Sequence, residues 1–366
     1  YKYRKNAKTG GECMRKGKRL IAWIMAVVML FTICVFGGNG TAEAAATTPV
    51  AKHGRLSVKG ADLVDSKGNK FQLRGISTHG INWDVGSPYV NKKAFKTLRD
   101  DWGVNAIRLA MYTEEYNGYC SGGSQAKLRK LVDKGVGYAT DLGMYAIIDW
   151  HILSDGNPNK NKSQAKKFFT TMAKKYKNNK NVIYEICNEP NGCSWKEIKS
   201  YATDIIKTIR KYDKKAVIIV GTPTWSQLGT DGTSNEVADS PIKGYKNIMY
   251  SLHFYASEWA HNEYLPAKVA YARKKKLPII VSEFGLSPAS GDGAINKASA
   301  DKWMKLLNKY NISYFCWSLS NKNESASLLK PSTKKTSGWK SGDLSTAGKY
   351  IKKKYLARKK ALGKKA

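Results

Sequence analysis

The sequence predicts a (β/α)8 TIM barrel, a single α/β domain entered through an N-terminal β-hairpin. Short apolar runs recur at Phe71–Arg74, Ala106–Ala110, Met144–Ile148, Val182–Ile186, Ala216–Val220, Ile248–Leu252, Pro278–Val281 and Ile312–Phe315. Their starts lie roughly 30 to 38 residues apart, the length of one βα unit. The gaps carry apolar residues at three- and four-residue spacing, which is the helical period. Parallel strands need helical crossovers, and eight such units close into a barrel. A doubly wound open sheet would carry a glycine-rich nucleotide loop after its first strand, and Arg74-Gly75-Ile76-Ser77 is not one.

The elements follow in order. Met14 opens a basic segment (Arg15, Lys16, Lys18, Arg19), an uncharged apolar run spans Leu20 to Phe36, and Ala42-Glu43-Ala44 offers an A-x-A cleavage site. Residues 1–46 are therefore expected to be upstream sequence and a secretory signal peptide, cleaved near Ala44–Ala46, with the protein secreted. A polar linker near Thr47 to His53 leads to a hairpin over Leu56–Leu73, with its turn at Asp65-Ser66-Lys67-Gly68-Asn69. Helices are expected at Asn91–Trp102, Gln125–Leu142, Ser163–Tyr176, Trp195–Tyr212, Leu265–Lys275 and Lys297–Tyr310. Ser163 and Ser194 are expected as N-caps, and Gly143 as a C-terminal glycine. The barrel domain is expected over 47–355, followed by a basic tail over 356–366.

Composition narrows the function class. The 366 residues are 42% hydrophobic and 11% aromatic, enough for a packed core. Sixty-three Lys and Arg against 28 Asp and Glu give a net charge of +35. Lysines are spread along nearly every helix face, as at Lys166, Lys174, Lys207 and Lys274, so nucleic acid is not the expected partner. The dense block from Lys352 to Lys365 suits electrostatic association with an anionic cell surface. A monomer is expected. Removing residues 1–46 leaves Cys120, Cys187, Cys193 and Cys316, an even count that permits disulfides without requiring them; Cys187 and Cys316, in apolar contexts, read as buried thiols, and the absence of a C-x-x-C spacing argues against structural zinc.

Barrel active sites lie at the carboxyl ends of the strands. His79 and Trp83 follow the first strand. Arg108 lies in the second, which Tyr112 follows. The third ends in Asp149-Trp150-His151 and the fourth in Glu185-Ile186-Cys187-Asn188-Glu189-Pro190. The fifth leads to Trp225, the sixth to His253 and Tyr255, the seventh to Glu283-Phe284-Gly285, and the eighth to Trp317. Polar groups converging on one rim would be costly without a function.

Two carboxyl groups facing one another fit glycosidic cleavage, in which one protonates the leaving oxygen and the other works across the bond. Glu189 and Glu283 are the candidates. Arg108 can hold Glu283 ionised, Tyr255 can hydrogen-bond it, and Asn188 can bind a sugar 2-hydroxyl. Glu189 must keep a proton at working pH, so its pKa is expected to be raised. A carboxyl separation of about 5 Å would mean retention and about 6.5–9.5 Å inversion.

These motifs resemble glycoside hydrolase family 5, in its bacterial endo-β-1,4-glucanase branch (cellulase family A). The likeness runs from Leu56 to about Tyr350. It rests on Leu73-Arg74-Gly75-Ile76-Ser77-Thr78-His79-Gly80, Ile107-Arg108-Leu109, Asp149-Trp150-His151, Tyr184 through Pro190, His253-Phe254-Tyr255 and Ser282-Glu283-Phe284-Gly285. The resemblance implies Glu189 as acid/base, Glu283 as nucleophile and a retaining mechanism. It makes Arg108, His151, Asn188, His253, Tyr255 and Trp317 the other active-centre residues. It also implies glucosyl subsites at His79, Trp83, Trp317, Lys322 and Glu324, with Trp225 across the cut. Soluble or amorphous β-glucan is the expected partner, and neither metal nor other cofactor is expected. A mannanase, a xyloglucanase and a mixed-linkage glucanase share the scaffold. A non-catalytic glucan-binding surface protein would not need both Glu189 and Glu283. A metal-dependent hydrolase would draw on His79, His151 and His253, which lack a His-x-His pair.

Overall fold

In the computed structural model, residues 48–363 are described; the expected signal peptide lies outside them. A small antiparallel pair, β1 (Ser57–Lys59) and β2 (Asp62–Val64), leads into the barrel. Apolar, often β-branched segments then form eight parallel strands: β3 (Arg74–Thr78), β4 (Ala106–Tyr112), β5 (Tyr145–His151), β6 (Val182–Glu185), β7 (Ile218–Val220), β8 (Ile248–Tyr255), β9 (Ile279–Gly285) and β10 (Tyr314–Leu319). They close in the order β10-β3-β4-β5-β6-β7-β8-β9. The main helices are α1 (Lys92–Trp102), α2 (Gln125–Asp141), α3 (Lys162–Tyr176), α4 (Trp195–Arg210), α5 (Trp259–Lys274), α6 (Lys297–Tyr310) and α7 (Thr346–Gly363). Their apolar faces and the outward strand residues make the larger core. Leu73, Tyr145, Ile147, Ile183, Ile219, Met249, Ile280 and Phe315 fill the lower barrel, and Leu56 and Leu63 close it from below.

The expected turn at Asp65–Asn69 forms and closes an antiparallel bridge between Val64 and Lys70, and a further turn precedes it. Strands β1 and β2 pair across Gly60-Ala61, with Gly60 at φ 60°. The Asp65–Asn69 segment is a second turn, organised by the Asp65 carboxylate accepting from Lys67 N and Asn69 N. The first barrel strand starts at Arg74 because Phe71 and Leu73 are spent on the barrel floor.

Ser194 caps α4 in a full capping box with Glu197. Ser163 does not cap α3: the helix starts at Lys162, and the preceding Asn161 directs its amide to Glu114 and Asp155. Gly143, at φ 61°, follows the α2 cap as expected. Helix α5 begins at Trp259, six residues before the expected start, with Pro266 inside it. The 355/356 boundary falls within α7, where Tyr355 OH donates to Gly75 O and Arg358 Nε to Gln72 Oε1. All four described cysteines are free thiols. Among the described residues no helix is long and apolar enough to cross a membrane.

Candidate active site

Alternation along a barrel strand sends every second side chain inward. On β4 this puts Arg108 inside the barrel, fully buried, and on β5, β6 and β9 it brings carboxylates to meet it. Arg108 Nε donates to Glu185 Oε2 at 2.7 Å and Nη1 to Glu283 Oε2 at 2.9 Å. Nη2 donates to Asn188 Oδ1 at 2.6 Å and lies 3.1 Å from Asp149 Oδ2. One guanidinium thus ties together groups from β5, β6, the loop after β6, and β9. Breaking such a buried network by removing one partner typically costs about 3–5 kcal/mol. Arg108→Met should lower stability by that order, read by chemical denaturation, and Glu283 should lose its alignment with it.

Glu283 takes its second contact from Tyr255 OH, at 2.8 Å on Oε1. The Tyr255 ring can lie that close to β9 because Gly285 has no side chain; a Cβ there would sit 2.5 Å from the ring. Both Glu283 oxygens are therefore held by donors, which orients the carboxylate upward into the cleft.

Glu189 leaves the loop after β6. β7 and β8 stand between β6 and β9, and His253 of β8 fills the gap. His253 Nδ1 meets Glu189 Oε1 at 2.8 Å, and its Nε2 meets Ser282 Oγ at 2.8 Å. One ligand atom each of Glu189, His253 and Glu283 lies within 4.8 Å of the others. Such a trio could hold a cation by distance alone, but the His253 ring nitrogens already have hydrogen-bond partners. The side chain of Glu189 is only 12% exposed. Burial, reinforced by Asp149 and Glu185 and opposed by Arg108, pushes its carboxyl up to about 8. Burial also lowers His151 and His253, to about 3 and about 4, so both are neutral hydrogen-bonding groups at neutral pH. His151 is fixed by Nδ1 at 2.6 Å from Asp149 Oδ2.

Above this floor is a cleft of about 630 Å³. Twelve of the residues expected from sequence line it: His79, Trp83, Tyr112, His151, Glu189, Trp225, His253, Tyr255, Glu283, Trp317, Lys322 and Glu324. Arg108 and Asn188 lie beneath instead. Both amide hydrogens of Asn188 face partners, Ile152 O at 3.1 Å and His151 Nε2 at 3.2 Å. A 2-hydroxyl contact from Asn188 would have to take the place of the one toward His151. Trp317 stacks on His151 with centroids 5.3 Å apart, and Trp83 packs on Tyr112 at 4.5 Å, making an aromatic wall. Glu324 joins Lys322 at 2.5 Å and approaches His79 at 3.8 Å.

Trp225 projects at the opposite rim, 45% exposed. Its segment has positive φ at Thr224, Trp225, Ser226 and Leu228, a strained path of the kind found at ligand clamps. The strain is held by Trp225 N donating to Pro190 O and Ser226 Oγ to Asn188 O, which links this tryptophan to the Glu189 loop. Sequence reasoning missed Glu115, Gln227, Glu258 and His261, which also line the cleft. Glu115 and Gln227 sit in loops with no apolar period before them, while Glu258 caps α5 and His261 lies in its first turn, ahead of the expected start at Leu265. Glu185 stood within the quoted strand-four motif, but its ion pair with Arg108 depends on the closed barrel.

A family model for cellulase (glycosyl hydrolase family 5) matches residues 64–323. The chain belongs to glycoside hydrolase family 5. Within that family it is 47% identical over 341 residues to an endoglucanase of Clostridium saccharobutylicum, covering 92% of this chain and 72% of that one. It is 45% identical to endoglucanase A of Butyrivibrio fibrisolvens, covering 82% and 68%. The catalytic domain of Thermobifida fusca endoglucanase Cel5A, solved with cellotetraose, superimposes with a TM-score of 0.78 at 37% identity, covering 84% of this chain and 99% of that one. This family 5 protein is thus a glycoside hydrolase of the endoglucanase type.

Proposed function

We propose that this family 5 enzyme cleaves β-1,4-glucosidic bonds within cellulose-type or mixed-linkage glucans by a retaining double displacement. The observation that carries the proposal is the separation of at most 4.8 Å between the facing Glu189 and Glu283 atoms. That spacing suits attack by one carboxylate on the anomeric carbon and leaves no room for the water an inverting enzyme places there. Glu189, protonated because it is buried, gives its proton to the leaving oxygen while Glu283 forms the glycosyl ester. Glu189 then takes a proton from the water that hydrolyses the ester. Arg108 and Tyr255 orient the nucleophile, and His253 positions Glu189. His79, Trp83, Tyr112, Trp317, Lys322 and Glu324 form the sugar-binding wall on one side of the cut and Trp225 the other. The relative solved with cellotetraose supports a cello-oligosaccharide ligand.

Proton NMR of cellotetraose hydrolysis tests the mechanism: the β anomer should appear first, and initial release of the α anomer would overturn it. Turnover should also be unaffected by EDTA; loss of activity restored by a divalent cation would instead make Glu189, His253 and Glu283 metal ligands. The leader-like segment before residue 47 supports export. Outside the cell, a monomer with a basic C-terminal segment would associate with anionic surfaces, an attraction that salt weakens.

A further inference from the structure

The face of the barrel opposite the cleft carries a second concentration of functional groups. Each loop entering strands β6 to β9 brings lysines: Lys177 and Lys180 before β6, Lys214 and Lys215 before β7, Lys243 and Lys246 before β8, Lys275 and Lys276 before β9. These four strands are consecutive in the barrel, so the loops lie side by side along one arc. The backbone stitches neighbours together: Arg55 Nη2 donates to Lys177 O, Asn247 Nδ2 to Lys215 O, and Arg210 Nη2 to Lys246 O.

The arc is grooved. Arg55, Lys177, Lys180, Lys214 and Lys215 line one depression of about 710 Å³. Lys246, Lys275 and Lys276 line another of about 330 Å³. The acids nearby do not neutralise it. Asp213 is 1% exposed and its Oδ1 is taken by backbone N–H groups of Lys215 and Ala216. Asp239 pairs with Lys275, and Asp62 with Lys70 and Arg273. Among the described residues Lys177, Lys180, Lys214, Lys215, Lys243, Lys246 and Lys276 form no ion pair, whereas Arg55 Nη1 is paired with Asp213 Oδ1 at 3.7 Å. Seven exposed ammonium groups without a protein counter-ion give this arc a positive field that attracts an anionic partner.

We propose that this underside arc is a docking track for a linear phosphodiester polymer of the cell envelope, a poly(glycerol phosphate)-type chain. A flexible polyanion can place successive phosphates against successive loops, each lysine acting as a point charge. Single-stranded nucleic acid is disfavoured because it needs exposed aromatic faces for its bases. The aromatics lining the grooves are Tyr212 and Tyr245, both half-buried, and Tyr250, which is buried; the exposed aromatics Tyr116, Trp225, Trp259 and Tyr264 lie elsewhere. Docking here leaves the cleft, at the other end of the barrel, open to glucan. The proposal deepens the surface association proposed above and assigns it to a site distinct from the C-terminal segment.

The test is retention on immobilised poly(glycerol phosphate) in rising salt, with cellotetraose turnover measured in parallel. Three variants carry the same charge change: K177E/K180E/K214E/K215E in the arc, K127E/K130E/K134E/K305E on helices α2 and α6, and K353E/K360E/K364E/K365E in the C-terminal segment. The arc variant should lose more than about tenfold in affinity at 0.1 M salt, with turnover unchanged and the helix variant close to wild type. Equal loss in the arc and helix variants would reduce the effect to net charge and overturn the track. Loss in the C-terminal variant alone would leave surface association standing and sink the arc. An unretained wild-type protein would sink both. Equal or tighter binding of a single-stranded oligodeoxynucleotide of matched charge would overturn the choice of polymer.

Discussion

Glu283→Gln should lower turnover of cello-oligosaccharides by at least about 10⁴-fold, the scale of losing a group that makes and breaks a covalent bond. The amide has the shape of the carboxylate and can still accept from Arg108 Nη1, so the barrel should fold. What it lacks is a nucleophilic oxygen able to form the glycosyl ester. Fold and chemistry are therefore separable: the circular dichroism spectrum and unfolding midpoint stay near wild type while hydrolysis stops. A residual rate above about a hundredth of wild type would remove Glu283 from the nucleophile role.

Glu189→Ala should separate substrates by leaving group. On cellotetraose, whose leaving alkoxide needs a proton, the rate should fall by about 10³-fold or more, at the upper end of general acid–base contributions. On a dinitrophenyl cellobioside the first step needs no proton, so the glycosyl-enzyme should form readily and accumulate. Azide should then restore turnover, giving a β-cellobiosyl azide because two inversions retain configuration. Equal loss on both substrates, without azide rescue, would make Glu189 structural. The wild-type pH profile carries the same information. Burial raises this carboxyl from 4.5 to about 8, so its proton is held through neutral pH. The rate on cellotetraose should fall as pH rises through about 8, with a weaker limb on the activated substrate. Stability has the same sign: the contribution is fully present below about 4.5 and is lost as pH rises through about 8.

Much of this site is legible in the order of residues along the chain. Tandem apolar runs announce strands, and a barrel puts their carboxyl ends on one face, so Arg108, His151, Glu189, His253, Tyr255, Glu283 and Trp317 can be named from spacing. Helix α5 shows the limit. Its register is set by packing of Leu265 and Val269 on the barrel, which carries the helix back to Trp259. The hairpin turn shows another. Gly60-Ala61 and Asp65–Asn69 are both good turn sequences, and both turns form: the first pairs β1 with β2 and the second bridges Val64 with Lys70, so the expected single hairpin is a three-segment meander whose Leu56 and Leu63 lie on the barrel floor.

The fold class and the family can be read from the linear chain, and two candidate carboxyl groups can be picked out in it, because periodicity and motif are properties of a one-dimensional string. The working relationship of those carboxyl groups needs three dimensions. Glu189 and Glu283 are far apart in the chain, and only closure of eight strands brings them within 4.8 Å. The proton on Glu189 is likewise tertiary, since it exists because water is excluded around a side chain that would ionise freely in an open loop. Arg108 becomes the hub of Asp149, Glu185, Asn188 and Glu283 for the same reason: a cation inside the barrel must be paired by whatever the other strands present. The lysine arc is invisible as a feature of the string, where its members read as scattered surface charge; it emerges only because parallel strands put every entering loop on the same face.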